Sequence, residues 1–126
     1  MDLLVDTQAI LWWLSDDDRL SDRARELIAA RANRVLVSVA SLWETAVKIS
    51  LGKLAAPASL PDYIVSEGFE LLDIRVAHAW AVRELPRRAD HKDPFDRLLV
   101  AQAKIERCEL VSSDIALDGY GIKRHW

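Results

Sequence analysis

Short apolar runs recur along this chain, each stopping at an acid or a hydroxyl residue and then giving way to a longer stretch with apolar side chains at helical spacing. Leu3-Leu4-Val5 stops at Asp6-Thr7, and Ala9, Ile10, Trp13 and Leu14 follow with the period of a helix. Val35-Leu36-Val37 leads through Ser38 into a helix carrying Leu42, Trp43, Ala46, Val47 and Leu51, which Gly52 ends. Glu70 to Asp73 reads as a third strand, followed by a helix from Val76 to Leu85 that stops at Pro86. Leu110-Val111-Ser112 is a fourth strand ending at Ser113-Asp114, and Gly121 to Lys123 reads as an edge strand. Ser21 suits the cap of a helix with Ala24, Leu27 and Ile28 buried and Leu20 as its staple. A short helix before Gly68 follows Pro57 and Pro61. Asp93-Pro94, cap and first helical position, opens a largely buried helix carrying Phe95, Leu98, Leu99, Val100, Ala101, Ala103 and Ile105.

Connections between these strands are too long for hairpins and hold helices, so the strands pair in parallel through right-handed crossovers. The expected fold is α/β, a three-layer α/β/α sandwich around a short central parallel sheet. In such a sheet all strand C-termini lie along one edge, where open α/β folds bind their ligands. With 126 residues the chain forms one domain, 1–126, and 51% apolar against 29% charged residues is enough to bury a core and too apolar for disorder. Four Gly, four Pro and no repeat exclude collagen-like and solenoid architectures. The longest apolar run, Ala9 to Leu14, is six residues, far short of the roughly 20 a spanning helix needs, and the acidic start Met1-Asp2 is unlike a signal peptide. No membrane association and a cytoplasmic location are expected. Cys108 has no second cysteine to pair with and reads as a small buried hydrophobe.

The acids carry the chemistry. Asp6 follows the first strand and Asp114 the fourth, so a parallel sheet brings both carboxylates to one edge. Glu44 lies one and a half turns into the helix after the second strand, and Asp96 lies in the first turn of the long helix. If both helices start at that edge, four carboxylates meet in one cleft, and their mutual repulsion demands bound cations or protons. Each acid also has a purely local reading: Asp6 and Asp114 as caps, Ser41 to Glu44 as a capping box, Asp96 as a complement to the helix dipole. Local capping does not explain why the acids recur at the ligand edge. Oxygen ligands without Cys or His select Mg²⁺ or Mn²⁺, ions that activate water and steady a leaving oxygen in phosphodiester cleavage. Thr7 and Ser112 are outer-shell candidates able to hold a water or a carboxylate, or simply turn and cap residues.

Four segments, MDLLVDT (Met1 to Thr7), SVASLWE (Ser38 to Glu44), HKDPFDRLLVAQA (His91 to Ala103) and LVSSD (Leu110 to Asp114), resemble the PIN domain and, within it, the VapC-type toxins of bacterial type II toxin–antitoxin systems. The resemblance spans nearly the whole chain in the expected order, HKDPFDR with its following LLVAQA being the most specific part. It implies a Mg²⁺- or Mn²⁺-dependent endoribonuclease with Asp6, Glu44, Asp96 and Asp114 as its catalytic and metal-binding acids. It also implies a homodimer, and a cognate antitoxin that inserts a segment into the active-site cleft. Asp93 falls in the same motif, as a helix cap or as an outer-shell or second-metal ligand. Ser112 stands where the family usually has Thr and keeps the hydroxyl.

Net charge is −3, 17 basic residues against 20 acidic, which taken bluntly argues against a nucleic-acid partner. Cations held by the acids weaken that inference. His91, Lys92 and Arg97 flank the acidic motif as candidate RNA contacts, or as an ordinary solvated face. His78 and His125, with no partner acid or second histidine at ligand spacing, read as ordinary packing or surface residues. The five tryptophans read mostly as core, with Trp12 or Trp13 available to a partner surface. Two other functions compete: a catalytically weak binding module, and phosphotransfer on Asp6. The second is disfavoured because a dehalogenase-type site needs an acid two residues on, where Gln8 stands.

Overall fold

The computed structural model describes residues 1–88 and 93–126. Five strands, β1 (Asp2–Val5), β2 (Arg34–Ser38), β3 (Glu70–Leu72), β4 (Glu109–Val111) and β5 (Arg124–His125), form one sheet in the order β3-β2-β1-β4-β5, every pairing parallel. β1 is central: Leu4 lies opposite Leu36 on one side and Leu110 on the other. The chain builds outward from β1 through β2 to β3, then returns to lay β4 on its far side, so strand order reverses at β1. Such a reversal opens a crevice beyond the strand ends.

Alternation along the strands sorts the core into two faces. Leu3, Val5, Val35 and Val37 pack with Ala9, Ile10, Ala24, Leu27, Ile28 and Ile64, which come from α1 (Thr7–Leu14), α2 (Asp22–Ala29) and α4 (Leu60–Ser66). Leu4, Leu36 and Leu110 face the other way, against Leu99, Val100, Ala101 and Ala103 of α6 (Pro94–Glu106). α5 (Val76–Ala81) packs on α6, and α3 (Val39–Ser50) leans on both α1 and α6. This is the expected three-layer sandwich. Local signals place the helix starts: Ser21 accepts from the Ala24 N–H at 3.0 Å, and Asp93 precedes Pro94 as the cap of α6. Among the described residues no helix is long and apolar enough to cross a membrane.

Several local expectations need correction. The last strand is Arg124–His125 rather than residues 121–123, because Gly121, at φ 75°, closes a 3-10 turn over Ile115–Tyr120 before the chain can extend. α3 is capped by Ser38, whose Oγ accepts from the Ala40 N–H at 3.0 Å; Ser41 lies inside the helix, so no capping box joins it to Glu44. The helix starting at Val76 ends at Ala81 and continues as a 3-10 turn to Glu84. His78 and His125 are both buried, and packing gives each an acid partner: His78 Nε2 lies 2.9 Å from Glu106 Oε2, and His125 Nε2 lies 3.1 Å from Glu109 Oε1. His78 Nδ1 accepts from the Arg75 N–H, so Nε2 carries the proton that Glu106 receives as a hydrogen bond. Trp43 and Trp80 are exposed, whereas Trp12 and Trp13 pack against Trp126 and Phe69. Cys108 is buried as expected, and burial pushes its thiol up to about 11.

Candidate active site

Asp6 leaves β1 at the sheet's C-terminal edge, tied to β4 by its own N–H donating to the Val111 carbonyl at 3.0 Å. Its Oδ1 accepts from the Ala9 N–H at 2.8 Å, capping α1. Asp114 caps the 3-10 turn that follows β4, accepting from the Ala116 N–H at 2.9 Å, and Asp93 caps α6, accepting from the Asp96 N–H at 3.0 Å. Capping and convergence are therefore not alternatives. A helix beginning at a strand end needs an acceptor for its first amides, and the carboxylate supplying it stands at the ligand edge.

These side chains share one pocket of ≈ 170 Å³, lined by Asp6, Thr7, Gln8, Glu44, Lys48, Asp93, Asp96, Ser113 and Asp114. All four acids singled out in the sequence are there, with Asp93 as a fifth. Glu44 projects from α3, with Lys48 one turn on placing Nζ 3.4 Å from its Oε2. Thr7 lines the pocket, and its hydroxyl donates to Ser41 Oγ at 2.9 Å, joining α1 to α3. Ser112 is fully buried and lies behind the pocket, where its hydroxyl accepts from the Asp114 N–H at 3.1 Å and hydrogen-bonds the Asp6 carboxylate. One hydroxyl thus holds two of the acids.

Burial is the main cause that pushes the Asp6 carboxyl up from 3.8 to about 6. Its hydrogen bonds to Ser112 and Ala9 pull down, and the charges of Asp96 and Glu44 push further up. Asp6 is thus partly desolvated, faces like charges, and favours whatever brings positive charge to it. Among the described residues no three carboxylate, imidazole or thiol groups close tightly around a point where an ion could sit. The acids ring the pocket rather than meet at its centre. Their donor set, oxygen without sulfur or imidazole among the described lining residues, is the chemistry that hard divalent cations take.

Of the candidate RNA contacts, His91 and Lys92 lie outside the described residues. Arg97 is placed away from the pocket lining, donating to the Pro86 carbonyl at 2.9 Å and to Tyr120 Oη at 3.3 Å. Lys48 was not singled out in the sequence, although its spacing from Glu44 is that of a helical ion pair. An apolar cavity of ≈ 280 Å³ adjoins the pocket, lined by Leu11, Trp12, Leu54, Pro57, Leu60 and Tyr63 among others, and Gln8 belongs to both walls.

The family model for the PIN domain matches residues 3–123 of the chain. No curated protein sequence matches it. Among solved structures, a chain of VapBC2 from Rickettsia felis bound to a DNA fragment from their promoter superposes with a TM-score of 0.70 at 15% identity, covering 99% of this chain and 98% of that one. A chain of DNA-bound VapBC from Salmonella typhimurium gives 0.66 at 19% identity, with 99% and 97% covered. A chain of FitAcB from Neisseria gonorrhoeae gives 0.65 at 14% identity, with 98% and 96% covered.

Proposed function

The chain belongs to the PIN domain family, and we propose that it is a Mg²⁺- or Mn²⁺-dependent endoribonuclease serving as the toxin of a toxin–antitoxin pair. The observation that carries this reading is that Asp6, Glu44, Asp96 and Asp114, from four distant stretches of chain, line one pocket together. Those four residues are the ligands we assign to the metal. The bound cation would supply the positive charge that makes a water acidic enough to attack a phosphodiester and that offsets charge on the leaving oxygen. Burial and the neighbouring acids hold the Asp6 carboxyl up at about 6, so the pocket gains by taking up positive charge at that oxygen, as a bound cation would supply. Ser112 keeps Asp6 and Asp114 oriented, and Thr7 fixes the start of α1 against α3. Asp93, already engaged with the Asp96 amide, acts as a cap that also adds negative charge at the pocket wall.

The similarity to VapBC chains supports the toxin role, and the apolar cavity beside the pocket supports an antitoxin segment as partner. Such a segment could cover both through Gln8, blocking RNA. A homodimer in the cytoplasm completes the reading. Gln8 in the pocket wall, where phosphotransfer would want a second acid, weighs against that alternative.

The test is cleavage of total RNA by partner-free protein in Mg²⁺, in EDTA, and by Asp6→Asn in Mg²⁺. Only the first sample should yield discrete fragments. Equal cutting in all three would mean a contaminating nuclease and remove the enzymatic reading, and RNA binding without cutting would leave a binding module.

A further inference from the structure

We infer that Lys48 is the phosphate-binding cation of this pocket, its ammonium contacting a non-bridging oxygen of the RNA backbone beside the bond that is cut. The inference rests on the nuclease reading above and adds to it how a polyanion enters a ring of acids. Among the described residues lining the pocket, Lys48 is the one cation facing five carboxylates, Asp6, Glu44, Asp93, Asp96 and Asp114. A phosphate approaching that wall meets repulsion unless positive charge is turned outward toward it.

Lys48 is placed for this. It sits one turn after Glu44 on α3, and its Nζ lies 3.4 Å from Glu44 Oε2. The Glu44 side chain is 14% exposed and that of Lys48 44%, so the carboxylate turns inward while the lysine reaches solvent at the pocket mouth. An ion pair whose lysine is this solvated adds little to helix stability, so holding α3 together is a weak account of a lysine in an acidic pocket. A divalent cation held by Glu44 would draw the carboxylate away from the ammonium and leave Lys48 to a backbone phosphate. A lysine suits the exchange because it is a point charge on a flexible stem. Arg97 is unsuited, since its guanidinium is already committed to the Pro86 carbonyl and to Tyr120.

The experiment measures binding and turnover separately. Binding of a labelled single-stranded RNA is followed by fluorescence anisotropy across a KCl series, in a cleavage-deficient Asp6→Asn background with and without Lys48→Met. Loss of one phosphate contact should weaken binding about tenfold and reduce the slope of log K against log salt by about 0.7. With Asp6 intact, Lys48→Met should raise KM more than it lowers kcat, and Lys48→Arg should restore most of both. Thermal melts verify folding, and Lys48→Gln replaces Lys48→Met if the latter is unfolded. Unchanged affinity, salt slope and KM in a folded variant would overturn the assignment of Lys48 while leaving a wild-type nuclease intact. A wild-type protein that neither binds nor cuts RNA would overturn the nuclease reading and this inference with it.

Discussion

Replacing Asp6 with Asn should make the metal-free protein more stable, although it removes one of the proposed metal ligands. The Asp6 carboxyl is raised from 3.8 to about 6, chiefly by burial, so the folded chain holds this proton more tightly than the unfolded chain does. The sign follows from linkage: between those two values the folded state binds more protons, and stability falls as pH rises through the window. Above about pH 6 the whole penalty is present, and below 3.8 none remains. Its size is about 3 kcal/mol, from a shift of roughly two units at 1.36 kcal/mol each. Asparagine still caps α1 through its carbonyl oxygen, but bonds Ser112 less well, which takes back about 1 kcal/mol. The net gain of about 2 kcal/mol corresponds to a rise in Tm of roughly 8 °C for a domain of this size. Melts in EDTA at pH 8 and pH 4 would show it: a clear gap at the higher pH, closing at the lower. Saturating Mg²⁺ should raise the wild type and leave Asp6→Asn nearly unmoved, since only the former gains a ligand. Equal Tm values at pH 8, or a gap that persists undiminished at pH 4, would refute the argument that desolvated charge at Asp6 costs stability.

Ser112→Ala removes the hydrogen bond that draws the Asp6 carboxyl down. The acid limb of the pH–rate profile for RNA cleavage should therefore move to higher pH, and an unmoved limb would show that Asp6 does not set it. Gln102 is fully buried, accepts from the Ser38 hydroxyl and donates to the Asp73 carbonyl, tying α6 to the end of β2. Gln102→Ala should cost roughly 3 kcal/mol in urea denaturation, from the cavity and the orphaned polar groups together; a loss under 1 kcal/mol would contradict that. Cys108, pushed up to about 11 by burial, should resist a thiol reagent at pH 8 until the chain is unfolded, and rapid labelling of the folded protein would mean that β4 opens.

What could be read before the structure was whatever depends on neighbours in sequence. Asp93-Pro94 marks a helix start because cap and first-turn chemistry are local, and Leu3 to Asp6 marks a strand end for the same reason. The four acids were legible because a parallel sheet converts the ends of its strands into one edge, so topology alone brings Asp6 and Asp114 together. Partners set by packing were not legible. Glu106 lies 28 residues from His78, and only the docking of α5 on α6 joins them. Helical spacing gives the phase of Trp43 and Trp80 but not which neighbour covers them, and both end exposed. Lys48 escaped notice for a related reason: its pairing with Glu44 is local, but its presence in the pocket depends on where α3 comes to rest.

The order in which the strands are made differs from the order in which they stand. β1 emerges from the ribosome first, yet the neighbour that receives the Asp6 amide is β4, completed more than a hundred residues later. Until β4 is made the growing polypeptide has neither that partner nor Asp114, so it cannot present the full ring of carboxylates. On the nuclease reading proposed above, the site would stay incomplete, and RNA safe from it, until β4 has left the ribosome.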